Sequence, residues 1–466
     1  MKNTSNPYQK VFRRTLLSTT LILALANTVQ AHANPANITP TQQWQLAEPI
    51  SAPELQNETL FAVDVTTVRE QIQQQKQVTV VTPNGTLETF NLRPSKVLPP
   101  GLASRYPQIQ SFIGTNVQNP HLTGRFDLSP NGFRAMFSHP SATGMHKVYI
   151  DPTQANLYKS YTVTPTELAK ARAAFTKHAP KVRDLSHGMD GILGTKEKKQ
   201  FVRAARNNDV RYTYRLAMSA AAEYSEQHYD TTANLSDAEK KSSVMAEIVS
   251  MVNRLNEVFT VELGVDFQLV ENNDNVIFLD ASSDPFANDS DDGSLNQNVL
   301  DAEFGVNGYD IGHIVNADGG GLAVLGALCS PGFKADGVTG SNQATGDAFW
   351  IDFVAHELGH QFGANHTFDG AVSSCESNRE DTAAFEPGAG TTIMSYAGLC
   401  GEVNVTNQVH DNYHHHSLKE INERITDIED GFFTIANCGT ATANTNNFPV
   451  VEAGADYTIP AQTYFR

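Results

Sequence analysis

The pattern of apolar and polar positions divides the chain into a region of short strands and a later region of mixed strands and helices. Between residues 34 and 164, runs of β-branched and aromatic residues alternate with turn signals such as Pro83-Asn84-Gly85, which predicts a β-rich domain. Strands are predicted at 78–81, 87–92, 124–128, 133–137 and 147–150. This region shows no combination of residues typical of a catalytic site.

The second region begins near residue 210. Alternation over 210–215 predicts a strand, and an Ala-rich stretch over 216–227 predicts a helix. Ser236 and Glu239 have the spacing of a capping box at the start of a long helix. Further strands are predicted at 266–270, 276–279 and 309–316. The apolar positions of the long helix repeat at three and four residues: Val244, Ile248, Val252, Leu255 and Phe259.

Composition and charge narrow the choice of partners. With 40% hydrophobic and 18% charged residues, the 466-residue chain has the composition of a folded protein, which excludes wholesale disorder. The net charge of −18 is uneven, because residues 34–205 carry 18 Lys/Arg against 12 Asp/Glu, and residues 206–466 carry 11 against 39. The acidic surface of residues 206–466 repels phosphates and anionic lipids. Neither nucleic acid nor a membrane is therefore an expected partner.

The two ends of the chain have features of processing and of a further module. Residues 1–33 combine early basic residues, an apolar stretch over 16–26 and the small-residue site Ala31-His32-Ala33, which predicts a signal peptide and a secreted product, periplasmic only in transit. No later stretch approaches the length of a membrane span. Residues 165–208 are polar and basic and predict a protease-accessible linker. Residues 441–466 predict a linker and the truncated start of an Ig-like or PKD-like module.

The most informative segment is His-Glu-Leu-Gly-His-Gln-Phe-Gly-Ala-Asn-His at 356–366. His356 and His360 lie four apart on a predicted helix and can bind one ion, and Gly363 allows the sharp turn that returns His366 as a third ligand. Three neutral imidazoles leave the fourth position of a tetrahedral Zn²⁺ open, as in catalytic sites. Glu357 cannot easily reach the ion, but it can accept a proton from a water molecule there.

This segment is similar to the HExxHxxGxxH motif of the metzincin zinc endopeptidases. The similarity continues at Thr392-Ile393-Met394-Ser395-Tyr396, which resembles the methionine turn of that clan. The resemblance implies that Met394 lies beneath the metal and that Tyr396 approaches the metal or the oxyanion, as in astacins and serralysins. Thr367, after the third histidine, differs from the residue typical of reprolysins, matrixins or serralysins. The overall arrangement most resembles bacterial secreted reprolysin-like metallopeptidases.

The resemblance also implies a fold and a division into domains. We expect an α+β catalytic domain at 206–440, with a twisted mixed sheet, two long helices and a zinc cleft, preceded by a β-rich propeptide at 34–205. Gly312, His313 and Ile314 are expected on the sheet edge against which an extended peptide lies antiparallel. Four cysteines allow three pairings. Similarity to a reprolysin bridge favours Cys329 with Cys438, and Cys375 with Cys400 is expected to close the loop ahead of Met394.

The sequence therefore predicts a secreted zinc endopeptidase, with Glu357 as general base, that acts on protein or peptide substrates. Its own propeptide is the expected inhibitor, without a cysteine switch because no cysteine precedes Cys329. Two alternatives stay open: an inactive metzincin-fold binding or adhesion protein, and a zinc hydrolase of non-peptide amides.

Two further metal sites also remain open. The Asp- and Asn-rich loop at 284–301 is either a Ca²⁺ site or a solvated loop, because the glutamate of an EF-hand would fall at Val299. A cluster of histidines is either a second metal site or a loop before a terminal helix that begins with a capping box of Ser417 and Glu420. These histidines are His410, His414, His415 and His416.

Overall fold

A computed structural model describes residues 44–47, 58–141, 144–154, 156–162, 181–183, 210–318, 320–406 and 409–444. The predicted signal peptide, most of the predicted linker, and residues 445–466 of the predicted module lie outside these residues. Within the described part of the chain, no helix is long and apolar enough to cross a membrane. The described residues form both helices and sheets, which agrees with the expected α+β class.

Residues 44–162, which we call the N-terminal unit, form a nine-stranded antiparallel sheet in the order β1-β2-β9-β8-β7-β6-β5-β4-β3. All five strands predicted in this region are confirmed, because their aromatic and β-branched residues fill one core in which Phe90 packs against Phe126 and Phe137. The elements are β1 Trp44–Leu46, β2 Glu58–Val63, α1 Val65–Gln75, β3 Gln77–Val81, β4 Leu87–Pro94, α2 Pro100–Arg105, β5 Gln110–Asn116, β6 Thr123–Ser129, β7 Gly132–Ser141, β8 Gly144–Gln154 and β9 Leu157–Tyr161.

Residues 210–444, the C-terminal unit, contain a mixed sheet in the order β14-β15-β13-β11-β12, with β16 beside the start of β11. The short strand β10, from the predicted linker, adds to the outer side of β14. The strands are β10 Lys181–Arg183, β11 Val210–Ala220, β12 Val265–Leu269, β13 Ile311–Asn316, β14 Gly320–Val324, β15 Gly337–Gly340 and β16 Thr440–Ala443. The helices are α3 Ala222–Glu226, α4 Asp237–Leu263, α5 Asp292–Phe304, α6 with its three consecutive segments Asp347–Phe349, Trp350–Val354 and Ala355–Gln361, and α7 His415–Glu429.

The predicted edge strand is the main correction to the expected sheet. Gly312, His313 and Ile314 lie in β13, which pairs with β11 on one side and with β15 on the other, so the expectation that they form the substrate edge is wrong. His313 is buried between the side chains of Gln361 and Thr339, at 2.9 and 2.8 Å, and burial lowers its pKa to about 4. The antiparallel strand β14 lies outside β15 instead.

Several local predictions differ from the structure for tertiary reasons. The helix predicted at 216–227 is helical only over its second half, because β11 continues to Ala220 to pair with β13 and α3 begins at Ala222. The predicted loop at 284–301 contains α5. The capping box predicted at Ser417 is also wrong, because the N-cap of α7 lies three residues earlier, at His414, whose ring accepts the backbone N–H of His416 at 3.1 Å.

Helix α4 joins the two units. Its capping box forms as predicted, and its apolar positions pack into the core of the C-terminal unit. The opposite, polar face lies against the N-terminal sheet, where Arg134 forms an ion pair with Glu247 at 2.9 Å. Glu257 lies 3.1 Å from Arg125 of the N-terminal unit. Both glutamates are buried, so each needs these partners.

Two disulfides complete the C-terminal unit, and they are the two pairings expected. Cys329 bonds to Cys438, which fixes the segment after β14 to the chain that follows α7. Cys375 bonds to Cys400 and closes a loop of sequence separation 25. No described cysteine is free. Each closed loop restricts the unfolded chain, which contributes about 2–4 kcal/mol to stability.

Replacement of Glu247 by Gln tests the ion pair between the units. Burial alone would raise the pKa of Glu247, but Arg134, His228 and the hydroxyl of Thr345 outweigh it and lower the pKa to about 2. We expect Glu247→Gln to lower the free energy of unfolding at pH 7 by about 3 kcal/mol, because buried Arg134 loses its closer counter-charge and keeps only Asp151, at 3.7 Å. Urea denaturation measures this loss.

The same variant gives a pH dependence with a definite sign. The charge of Glu247 contributes fully above its ordinary pKa of 4.5, and this contribution is lost as the pH falls toward 2. The difference between wild type and Glu247→Gln should therefore shrink between pH 5 and pH 2.5. The control Glu239→Gln, at the exposed start of the same helix, should cost much less, because the amide oxygen of Gln can still accept the N–H of Ser236. Equal stability of wild type and Glu247→Gln at pH 7 would contradict the assignment.

Candidate metal centre

The last segment of α6 carries the first two histidines of the motif. His356, Glu357 and His360 all lie in Ala355–Gln361 and are buried. The helix ends at Gly363, whose φ of +100° is a conformation that L side chains rarely adopt. The chain then turns back, and His366 meets the two helical histidines.

The three imidazoles converge through their Nε2 atoms. Nε2 of His366 lies 3.2 Å from Nε2 of His356 and 3.1 Å from Nε2 of His360. Three nitrogens bound at about 2.0–2.1 Å to one tetrahedral Zn²⁺ would lie about 3.3 Å apart. The spacing of the three nitrogens is therefore close to that of a zinc ligand set.

The outer nitrogens of these rings determine their tautomers. Nδ1 of His356, His360 and His366 lies 2.7, 2.7 and 2.6 Å from the backbone carbonyls of Ile393, Ala364 and Asn378 respectively. A carbonyl only accepts, so each Nδ1 donates its proton and each neutral ring presents a lone pair at Nε2. Three lone pairs directed at one another repel unless a cation lies between them, so these residues fit a bound metal ion.

The charge states of the site agree with this arrangement. Burial lowers the pKa of His360 and of His366 well below the usual value, and the neighbouring histidines add to the effect. Neutral imidazoles are the form that binds a metal. The described residues contain one other group with ligand atoms this close together, Asp310 with Cys329 and Cys438, but both of its sulfurs belong to a disulfide.

Glu357 is the second unusual feature. Its side chain is buried, and neither carboxylate oxygen has a hydrogen-bond partner among the described residues. Burial raises the pKa of Glu357 well above its usual range. A buried carboxylate without a partner is costly for the fold, and such groups are typical of functional sites.

Strand β14 passes directly beside Glu357. A Cβ atom added to Gly321 would overlap the Glu357 carboxylate, so any larger residue there would displace this side chain from its position. The glycine run at 319–321 is weak as a sequence signal, and a flexible turn is its default interpretation. The structure places Gly320 and Gly321 in the strand instead, next to the acid of the motif.

The predicted methionine turn packs against the metal-ligand helix. A Cβ atom on Gly359 would lie 2.5 Å from Sδ of Met394, so glycine lets the turn approach the helix closely. The ring of Tyr396 lies 4.6 Å from the ring of His366 and 5.9 Å from that of His356. Met394 and Tyr396 therefore both lie beside the convergent histidines.

Glu386 is a residue of this site that the sequence did not indicate. Its carboxylate accepts the hydroxyls of Thr367 at 2.5 Å and Thr392 at 2.6 Å, and the backbone N–H groups of Thr391 and Thr392. Burial opposes ionisation, but these hydrogen bonds outweigh it and lower the pKa of Glu386. It links the residue after the third histidine to the turn that carries Met394. The departure of Thr367 from the typical pattern was the only available signal.

The other predicted metal sites gain no support from the structure. His410, His414, His415 and His416 form no group of convergent ligand atoms, and His414 caps α7. In the Asp- and Asn-rich loop, the Asp292 carboxylate accepts the N–H groups of Ala287 and Asp289 and the amide of Asn316. Its oxygens are occupied by hydrogen donors, so Ca²⁺ is unsupported there.

Comparison with known proteins gives a match that covers most of the C-terminal unit. A search against curated proteins finds no match to the chain. Residues 210–424 match a protein-family model described as metallo-peptidase family M12B, reprolysin-like. This range contains the convergent histidines, Glu357 and the methionine turn. Residues 210–424 are thus similar to the reprolysin-like M12B metallopeptidases, which supports the metzincin-clan resemblance of the sequence motif.

Proposed function

We propose that this protein is a secreted zinc endopeptidase that hydrolyses peptide bonds in extended protein chains. The observation that carries the proposal is the buried, unpartnered carboxylate of Glu357 beside three histidines whose Nε2 lone pairs converge. His356, His360 and His366 would hold the ion. Bound Zn²⁺ supplies a Lewis acid that polarises a carbonyl and lowers the pKa of water from about 15.7 to about 7.

Glu357 is the proposed general base. Both of its buried carboxylate oxygens lack a hydrogen-bond partner among the described residues, so they can accept the proton that the attacking water gives up. The same group can then deliver this proton to the leaving amine, which a rigid buried position favours. The hydroxyl of Tyr396 is proposed to donate a hydrogen bond to the oxyanion, since the ring lies beside two of the histidines.

Strand β14, rather than β13, is the proposed binding edge for substrate. It pairs with β15 on its inner side and passes Glu357 at Gly321. An extended peptide added antiparallel along its outer side would bring a scissile carbonyl next to the base. Strand addition relies on backbone hydrogen bonds and gives little sequence selectivity by itself.

The propeptide is proposed to occupy this same edge before activation. Strand β10 pairs with β14 in parallel, with Lys181 opposite Leu322 and Arg183 opposite Val324. A substrate lying antiparallel would run in the opposite direction, so β10 blocks the edge without presenting its own peptide bonds in the productive orientation. This supports latency without a cysteine ligand. Cleavage between Lys196 and Arg211 is the proposed activating step.

The deciding experiment is hydrolysis of an unstructured protein such as casein by the activated chain. A zinc chelator should abolish hydrolysis, and added Zn²⁺ should restore it. An inactive binding protein would show no hydrolysis with zinc bound. An amidase for small substrates would cleave non-peptide amides but leave casein intact.

Glu357→Ala separates the base from the metal ligands. We expect zinc to stay bound at one ion per chain, while kcat for peptide hydrolysis falls by about 10³-fold or more, because proton transfer is lost. His366→Ala is the matched contrast and should lower zinc occupancy as well. Atomic absorption and peptide hydrolysis measure the two effects. Wild-type proteolysis by Glu357→Ala would refute the mechanism.

Tyr396→Phe tests the proposed oxyanion contact. If the hydroxyl acts only in the transition state, kcat should fall about ten- to a thousandfold with KM little changed. The ring stays, so packing against His366 is preserved and the thermal midpoint should not change. Full activity of Tyr396→Phe would mean that the hydroxyl has only a structural role.

Proline substitutions in β10 test the proposed latency. Successive N–H groups of a strand alternate in direction, so Val182→Pro with Arg183→Pro removes one N–H that faces β14. We expect the uncleaved double variant to hydrolyse peptides about tenfold faster than uncleaved wild type, since a lost strand pairing is worth about 1–1.5 kcal/mol. The Ala double variant retains the N–H groups and should stay latent. Unchanged latency in the Pro variant would argue against β10 as the inhibitor.

A further inference from the structure

The polar face of α4 is buried, which is unusual for an amphipathic helix. Its apolar positions face the C-terminal core, and on the other side Glu247, Arg254 and Glu257 are only 2%, 0% and 3% exposed. The cover over this face is the N-terminal sheet. If the N-terminal unit left after cleavage, these charged side chains of α4 would be exposed to water.

The partners of this face come largely from the N-terminal unit. Glu257 lies 3.1 Å from Arg125 and 2.9 Å from Lys147, and Arg134 lies 2.9 Å from Glu247. Arg254 is shared, at 3.0 Å from Asp347 of its own unit and 3.5 Å from Asp151 of the N-terminal sheet. Further hydrogen bonds run from Ser250 to Asp127 at 2.6 Å and from Asn253 to the carbonyl of Phe126 at 3.1 Å.

A second contact between the units is apolar. Val97, Leu102, Tyr106 and Ile109, around α2, belong to the same continuous core as α4, β11 and β12. They are 0%, 0%, 8% and 3% exposed. Removal of the N-terminal unit would therefore open the core of the C-terminal unit to water, which is unfavourable in proportion to the apolar area exposed.

Polar groups on the C-terminal side hold this apolar segment in place. The N–H of Leu269 in β12 donates to the carbonyl of Val97 at 2.9 Å, and Glu271 accepts the N–H groups of Gly101 and Leu102 at the start of α2. Arg105, near its end, forms an ion pair with Asp274 at 2.9 Å. The segment at 97–109 thus belongs to the N-terminal unit by sequence but packs into the C-terminal unit.

From these contacts we infer that the N-terminal unit remains bound to the peptidase as a second subunit after the linker is cut, and that only the segment around β10 has to leave. The contacts lie on α4, on β12 and the residues just after it, and on Trp350 of α6, over whose ring Arg134 lies, whereas the convergent histidines lie at the end of α6 and beyond it. The inference builds on the proposed function only in treating the cut as activating; the retention itself is a binding property.

The test uses the full chain from Asn34 with Glu357→Ala, which prevents self-digestion and makes the result independent of activity. A recognition sequence for a site-specific protease is inserted after Lys199, and the cleaved protein is passed through size exclusion at 1 µM and 0.15 M NaCl. We expect both fragments to elute together in a one-to-one ratio. Separate elution, or loss of one fragment by aggregation, would overturn the inference.

Variants then test which contacts retain the unit. Arg125→Ala with Arg134→Ala should raise the dissociation constant of the cleaved pair at least about a hundredfold, because two buried glutamates lose charged partners. The control Lys419→Ala removes an exposed cation on α7 and should change nothing. Equal dissociation constants for the double variant and Lys419→Ala would overturn the role of the α4 face.

If the double variant does not fold, Arg105→Ala serves as the second test, because Arg105 lies at an exposed position of the same interface. This variant should weaken binding about tenfold, and no weakening would count against the inference.

Discussion

The convergence of three imidazole lone pairs is the constraint on which the rest of the C-terminal unit depends. Like partial charges at 3.1–3.2 Å repel, so the surrounding structure must hold each ring from behind. Three backbone carbonyls do this, and they come from three places: the methionine turn, the turn after Gly363 and the loop closed by Cys375–Cys400. Positioning one metal ion therefore requires that a helix, a turn and a long loop all pack correctly at once.

The sheet contributes to the site through a single outer strand. Because β14 approaches Glu357 at Gly321, the strand that would bind a substrate and the carboxylate that would activate water are in direct contact. The long helix α4 supports this sheet from one side and accepts the N-terminal unit on the other. Its buried charges connect the packing of the two units, so the stability of the peptidase part depends on residues that precede it in the chain.

Local signals predicted the helix with the metal ligands, the methionine turn and α4, because each depends on spacing within a few residues. The capping box of Ser236 and Glu239 and the glycine at 363 are of this kind. Sheet order is different, because it depends on pairings between distant segments, and the edge position was therefore assigned to β13 instead of β14. Glu386 was missed for the same reason: its carboxylate acquires a role only when Thr367 and Thr392 fold back onto it. The polar face of α4 gives the pattern of a solvated surface, and only tertiary packing shows that it is covered.

The absence of a side chain at Gly321 has a consequence for how such a site can diversify. Where β14 passes Glu357 it presents backbone alone, so this wall of the cleft is the same whatever residue a bound chain carries there. We expect discrimination between substrates to come instead from the loop between His366 and Met394, whose Asn378 carbonyl accepts the N–H of the third histidine. That loop is tied by Cys375–Cys400 and by Glu386, so its exposed residues can vary while its ends stay fixed. Recognition can thus evolve at the exposed positions of this loop, provided that Asn378 and Ile393, whose carbonyls hold two of the metal ligands, keep their places.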